Sequence, residues 1–342
     1  MLHIPYKNFI KKRWEVEFPD RNKEFGNISY VISEYLQDGF IYEYNCDGER
    51  HHEHDFNALL ESIVQSIQCG HEVDLNGFKE EYSEQELNII NKLIEKISTD
   101  IKPYQINEII KEIQNSTNKP VFNITIKEKT NLDIYESKIG GKPFWKKDLE
   151  YPNINGRKMI LLAQINFSDL PENNIFPKNG MLQFFILPNE MYGVENEYKV
   201  IYHTDLDNAI EVEIPSFEYY QDTPILKEGK LNFELSEESI SYVDYNWYKY
   251  NSLFSDDLEN IIDDIIYDRL NSGCGHKLLG YPFFTQWDPR EDNEEYDTLL
   301  FQLDSDFNFV NWGDSGVGNF FINSKDLKEL NFNNILYNWD CC

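Results

Sequence analysis

An internal repeat constrains the fold of this chain more than any other feature. The run Ser137-Lys-Ile-Gly-Gly-Lys-Pro-Phe-Trp145 is answered by His276-Lys-Leu-Leu-Gly-Tyr-Pro-Phe-Phe284. Leu162-Ala-Gln-Ile-Asn166 is answered by Leu300-Phe-Gln-Leu-Asp304, and Gly180-Met-Leu-Gln-Phe-Phe-Ile186 by Gly316-Val-Gly-Asn-Phe-Phe-Ile322. Pro143 and Gln164 are 21 positions apart, Pro282 and Gln302 20; Gln164 and Gly180 are 16 apart, Gln302 and Gly316 14. Three matched blocks at near-constant spacing mark a duplication, so one structural unit has to be built twice.

Each copy carries the chemistry of strand, turn and strand. Gly ahead of an X-Pro pair sets a tight turn, because Gly takes positive φ cheaply while Pro fixes its own φ and extends its predecessor. The runs Met159–Ile165 and Thr298–Leu303 are short and apolar, as buried strands are. A glutamine inside such a run must find partners or cost about 1 to 3 kcal/mol. Gln164 and Gln302 are therefore expected to bond neighbouring backbone. The functional alternative is that the two amides face one another in a groove between the repeats, with Trp312, Asp314 and Ser315, and hold a ligand there.

Ahead of the repeats the texture differs. In residues 1–118, Ser83 and Glu86 predict a capping box, and Leu87, Ile90, Leu93, Ile94 and Ile97 one apolar helical stripe. Phe56 to Ile67 and Ile106 to Ile113 predict two more. The Asn115-Ser-Thr-Asn-Lys-Pro120 break sets a boundary between a mainly helical region, 1–118, and an α+β region, 119–342, with repeats at about 121–215 and 230–342. Strands are expected at Val121–Ile126, Tyr198–His203, Ala209–Ile214 and Lys230–Leu235. A helix capped by Ser255 and stopped by Gly273, and a short one from Ser324 to Leu330, complete the reading.

The blocks quoted above, with Trp312-Gly-Asp-Ser-Gly316 and Leu336-Tyr-Asn-Trp-Asp340, resemble the YwqG-like family of bacterial proteins over roughly residues 121–342. That resemblance implies an α+β fold rich in antiparallel sheet with internal duplication. It implies no established activity and carries over no catalytic residues; the occurrence of some members near secreted-toxin genes hints at immunity.

Several short motifs invite chemistry. Gly313-Asp-Ser-Gly316 spells the nucleophile loop of trypsin-like proteases, but Val317 breaks that pattern and the G-x-S-x-G elbow alike, and a tight turn between strands is expected. Its glycines precede a strand, where phosphate loops precede a helix. Asp304-Ser-Asp-Phe-Asn308 begins like a calcium loop, then has Phe309 in place of the turn Gly and Ser315 in place of the bidentate Glu. His51, His52 and His54, near Cys46, are metal-type side chains without metal-site spacing, so a solvated loop is expected.

The chain carries 31 Lys plus Arg against 61 Asp plus Glu, a net charge of −30. Such a field repels nucleic acid and anionic lipid and favours a basic protein partner, although solubility alone would also account for it. Five cysteines make no disulfide framework and point to a reducing, cytoplasmic setting; no apolar run reaches membrane-span length, and no cofactor signature is present. The expected activity is non-catalytic binding, with an enzyme or small-ligand protein using the inter-repeat groove as the alternative. The oligomeric state is left open.

Overall fold

The computed structural model describes residues 10–22, 26–35, 39–46, 55–68, 75, 83–100, 106–194, 196–214, 222–251, 270 and 272–341. The chain divides into two compact units, one built on Met1–Ile110 and a larger one on Lys111–Ser252 with Ile266–Cys342.

The first unit corrects the sequence reading. A mainly helical region is not what the described residues show, because three strands, β1 (Ile10–Asn22), β2 (Gly26–Tyr35) and β3 (Gly39–Cys46), form an antiparallel meander there. Helices α1 (Asp55–Gln68) and α2 (Glu84–Asp100) follow. Their buried faces are Leu59, Leu60, Ile63, Val64 and Ile67 on α1, and Ile90, Leu93 and Ile97 on α2. Ser83 and Glu86 close the capping box: Ser83 N donates to Glu86 Oε2 at 2.8 Å and Glu86 N to Ser83 Oγ at 3.3 Å. Helix α3 (Ile106–Thr117) leads into the second unit.

The second unit begins with β4 (Lys119–Lys127). The first repeat then supplies β5 (Lys138–Ile139), β6 (Trp145–Lys146), the hairpin β7 (Asn153–Ile154) and β8 (Arg157–Lys158), β9 (Ile160–Asn166), β10 (Met181–Ile186), β11 (Tyr198–His203) and β12 (Ala209–Ile210). After β13 (Gly229–Glu238) the second repeat supplies β14 (Lys277–Leu279), β15 (Thr298–Asp304), β16 (Val317–Ile322) and β17 (Ile335–Asp340), with a short helix Ser324–Lys328. The helix expected between Ser255 and Gly273 falls on residues outside those described, apart from its end.

Ten of these strands make one antiparallel sheet in the order β11-β10-β9-β5-β13-β4-β14-β15-β16-β17. That order is a palindrome of the duplication: β5, β9, β10 and β11 on one side mirror β14, β15, β16 and β17 on the other. The central pair is exchanged. β4, the leading strand of the first repeat, pairs with β14 of the second, and β13, the leading strand of the second, pairs with β5 of the first. Equivalent bonds follow, Ile124 N to His276 O and Leu231 N to Ser137 O, both 2.9 Å. The two copies thus share one body through their leading strands, and neither can complete its sheet alone.

The sheet rolls until its two edges meet. Tyr198 Oη on β11 donates to the carbonyl of Ile335 on β17, and the rings of Tyr198 and Tyr337 lie 5.1 Å apart. Inside, Phe184 of the first repeat packs against Phe301 and Phe320 of the second, centroids 4.6 and 4.8 Å away. Each of these rings is fully buried, and burying such a side chain stabilises by about 1.5 to 3 kcal/mol. The opposite face carries two smaller clusters, one per repeat: Trp145, Leu161 and Phe185, and their counterparts Phe284, Leu299 and Phe321.

A bulge occurs at the same place in both copies. Phe184 and Phe185 pair with Ala163 and Leu161, skipping Leu162, and Phe320 and Phe321 pair with Phe301 and Leu299, skipping Leu300. One extra residue reverses which face the following side chains take. Gln164 and Gln302 are thereby turned away from the shared core, while Ala163 and Phe301 enter it.

Candidate functional site

Gln164 and Gln302 are completely buried and do the same job in each copy. Gln164 Oε1 accepts from Phe144 N at 3.0 Å, and its Nε2 donates to the carbonyls of Ile134 and Glu136 at 2.7 and 2.8 Å. Gln302 Oε1 accepts from Phe283 N at 2.8 Å, and its Nε2 donates to Gly273 and Gly275, both at 2.7 Å. Each amide ties the segment ahead of the first strand of its repeat to the turn after X-Pro. The backbone bonding expected from the sequence is present. The structure does not bring the two amides together: the bulge places each within its own repeat, on the face away from the common core.

Trp312, Asp314 and Ser315 lie together elsewhere. Gly316 N bonds Trp312 O at 2.7 Å, closing the tight turn 313–315 ahead of β16. Gly316 is required there, since a Cβ would sit 1.8 Å from the carbonyl oxygen of Asp340. Trp312 is buried among Tyr192, Tyr337 and Trp339, and its Nε1 has no hydrogen-bond partner among the described residues. The calcium-like loop is spent on its own backbone. Asp306 Oδ1 accepts from the amides of Asn308, Phe309 and Val310, and Asp304 from Gly275 N and Ser305 N. Although burial opposes it, the bonds from His276 and these amides hold the Asp306 carboxyl well below the usual carboxylate range. His51, His52 and His54 fall outside the described residues.

The largest departure from two-fold repetition lies between β13 and β14. Ten residues, 128–137, join β4 to β5, whereas thirty-eight, 239–276, join β13 to β14. Residues 242–248 of this insertion form one wall of a cleft of about 520 Å³, closed opposite by Glu291 and Glu294. A buried ionic triad holds the walls together. Arg290, 1 % exposed, donates to Asp288 from Nε and Nη2 at 2.9 and 2.6 Å and to Asp244 from Nη2 at 2.8 Å. Asp288 Oδ2 also accepts from Tyr245 N at 3.0 Å. Burial works against the guanidinium charge, but the two aspartates outweigh it and raise the Arg290 pKa above its ordinary value. Its planar group also lies 4.6 Å from the Tyr245 ring centroid and 4.8 Å from that of Phe321.

A family model described as a domain of unknown function, DUF1963, matches residues 137–341. The chain belongs to the DUF1963 family. No curated protein matches it. The matched span opens at Ser137, one residue before β5, and takes in both repeats and the insertion; β4, which sits at the middle of the sheet, lies ahead of it. Among the described residues no helix is long and apolar enough to cross a membrane.

Within the DUF1963 region three buried basic side chains, two lysines and a histidine, were not singled out by the sequence. Lys138 and Lys277 hold equivalent positions and are each 1 % exposed. Lys277 pairs with Glu238 at 2.9 Å and with Tyr281 O; Lys138 donates to the carbonyl of Asp133 at 2.9 Å, and burial pulls it down to about 8 against the opposing fields of Glu228, Asp133 and Glu136. His203 is the third. Because Gln183 Nε2 donates to Phe144 O and to Gln164 Oε1, its Oε1 is free to accept from His203 Nε2 at 2.9 Å, which places a proton on Nε2. Burial first, and Lys146 second, lower His203 to about 4.

A histidine of about 6.5 in the unfolded chain and about 4 in the native one makes the unfolded state the better proton binder between those values. Stability supplied by the neutral ring is therefore present above pH 6.5 and lost as the pH falls toward 4, by about 3 kcal/mol. His203→Gln should flatten the fall of the urea midpoint across that window. Parallel curves for the two proteins would remove His203 as the cause.

Proposed function

We propose that this chain is a YwqG-like member of the DUF1963 family that acts as a non-catalytic binding protein for a cationic partner, of the kind an immunity protein neutralises. The observation that carries the reading is the net charge of −30, a field that draws basic proteins and repels nucleic acid and anionic lipid. The engagement of Gln164, Gln302, Asp304 and Asp306 in internal bonds supports it, since these groups hold turns in place.

One observation favours a second reading, a small-ligand protein or enzyme. Trp312 Nε1 is buried without a partner among the described residues, next to the turn bearing Asp314 and Ser315. Thermal melting separates the two, because a ligand of the native state alone raises Tm by mass action. Spermine and a hexa-arginine peptide should each raise Tm at 20 mM salt, and the gain should vanish at 0.5 M, where the Debye length is only a few ångströms. Stabilisation by nucleotides or sugars, with none by the polycations, would replace the first reading by the second.

A further inference from the structure

The geometry points to the cleft between residues 242–248 and 291–294 as a site for arginine side chains of a basic partner. This rests on the reading of a cation-binding protein and assigns it a place. Tyr242, Tyr245, Trp247 and Tyr248 line one side, and Glu291 and Glu294 the other. A cavity of about 520 Å³ has room for more than one side chain, which suits a short basic segment.

Two features select the cation. Aromatic faces attract positive charge through the ring quadrupole, and guanidinium, planar and weakly hydrated, stacks on them better than ammonium does. The cleft already shows this with its own residues: Arg290 lies over Tyr245, and Lys249 Nζ lies 5.7 Å from the Tyr248 ring centroid. The second feature is charge. The lining holds three carboxylates, those of Asp244, Glu291 and Glu294, and no cationic side chain is among its described residues. Asp244 and Asp288 are committed to Arg290, but Glu291 and Glu294 are exposed and have no ion pair among the described residues. They are the carboxylates open to a guest. Tyr248 is 65 % exposed, and Lys249 Nζ lies 5.7 Å from its ring centroid.

The test is fluorescence anisotropy of labelled hexa-arginine and hexa-lysine peptides on the full chain at 50 mM salt. The site predicts that hexa-arginine binds at least threefold more tightly than hexa-lysine at equal charge. Tyr248→Ala, and separately Glu291→Gln with Glu294→Gln, should weaken hexa-arginine at least tenfold. Glu172→Gln with Glu190→Gln, the same charge change on exposed residues outside the cleft, should alter it less than twofold. Lys249→Ala should strengthen it two- to fivefold by removing the resident cation from Tyr248. Unchanged melting curves will show that the variants, all at exposed positions, remain folded. If both peptides bind wild type equally and the cleft variants match the control pair, the cleft is overturned while cation binding stands. If neither peptide binds wild type, both are overturned.

Discussion

Arg290→Met should lower the stability of the sheet-rich unit by about 3 to 5 kcal/mol, read as the shift of its urea unfolding midpoint. The substitution conserves much of the side chain's bulk, so packing is not the main loss. What it leaves behind is two carboxylates, Asp244 and Asp288, 3 % exposed each, without their cation. Removing one partner of a buried ion pair costs more than the pair contributes, because the desolvated charge that remains has nothing to offset it. The cost should be recoverable. In Arg290→Met with Asp244→Asn and Asp288→Asn the charges are gone, while each side-chain carbonyl oxygen can still accept from Asn246 N and Tyr245 N as the carboxylates now do at 2.9 and 3.0 Å. The triple variant should regain at least half of the loss. A cost below 1 kcal/mol for Arg290→Met alone would mean that the triad does not hold residues 242–248 against 288–291.

The contrast between this triad and the first repeat shows what a sequence can and cannot disclose. Arg290 stands eight residues after Pro282, as Tyr151 stands eight after Pro143. Tyr151 packs on Phe185, centroids 6.0 Å apart, where Arg290 packs on Phe321. The repeat was legible because spacing survives divergence, and the glutamine bonds were legible because a buried amide has to be satisfied. The burial of Arg290 was not, since Asp288-Pro-Arg-Glu reads as a solvated turn and its second partner, Asp244, comes 46 positions earlier. The exchange of β4 and β13 was equally hidden: alternation announces a strand but not its neighbour. In the first unit the sequence does carry a strand signal. Trp14, Val16 and Phe18 alternate with charged residues at the period of a strand, and the charge density there obscured them. The cleft is illegible in the sequence for another reason. Its tyrosines lie within seven residues of one another, but the opposing glutamates are more than forty positions away, brought close only by the triad.

The two glutamine clamps allow the duplication itself to be tested by energetics. Gln164→Leu would strand Phe144 N–H and the carbonyls of Ile134 and Glu136, and Gln302→Leu would strand Phe283 N–H and the carbonyls of Gly273 and Gly275. At about 1 to 3 kcal/mol for each group left unpaired, and with some relaxation, each variant should lose roughly 3 to 6 kcal/mol. The loss at Gln164 should be the larger by up to about 1 kcal/mol, since its Oε1 also accepts from Gln183 Nε2, and because the two clamps share no partner the losses should add in the double variant. Gln302→Glu sharpens the test. It keeps an acceptor for Phe283 N–H but turns an anionic oxygen on two carbonyls, so the native state should hold that carboxyl protonated more readily than the unfolded chain, where its pKa is about 4.3. The native state then binds the extra proton, and the deficit relative to wild type should shrink as the pH falls, becoming smallest below about 4.3. The loss at His203 has the opposite sign with pH and is common to both proteins, so it cancels in the difference. A deficit for Gln302→Glu that stays constant from pH 8 to 4 would show that the amide's two donated bonds carry little of the stability assigned to them.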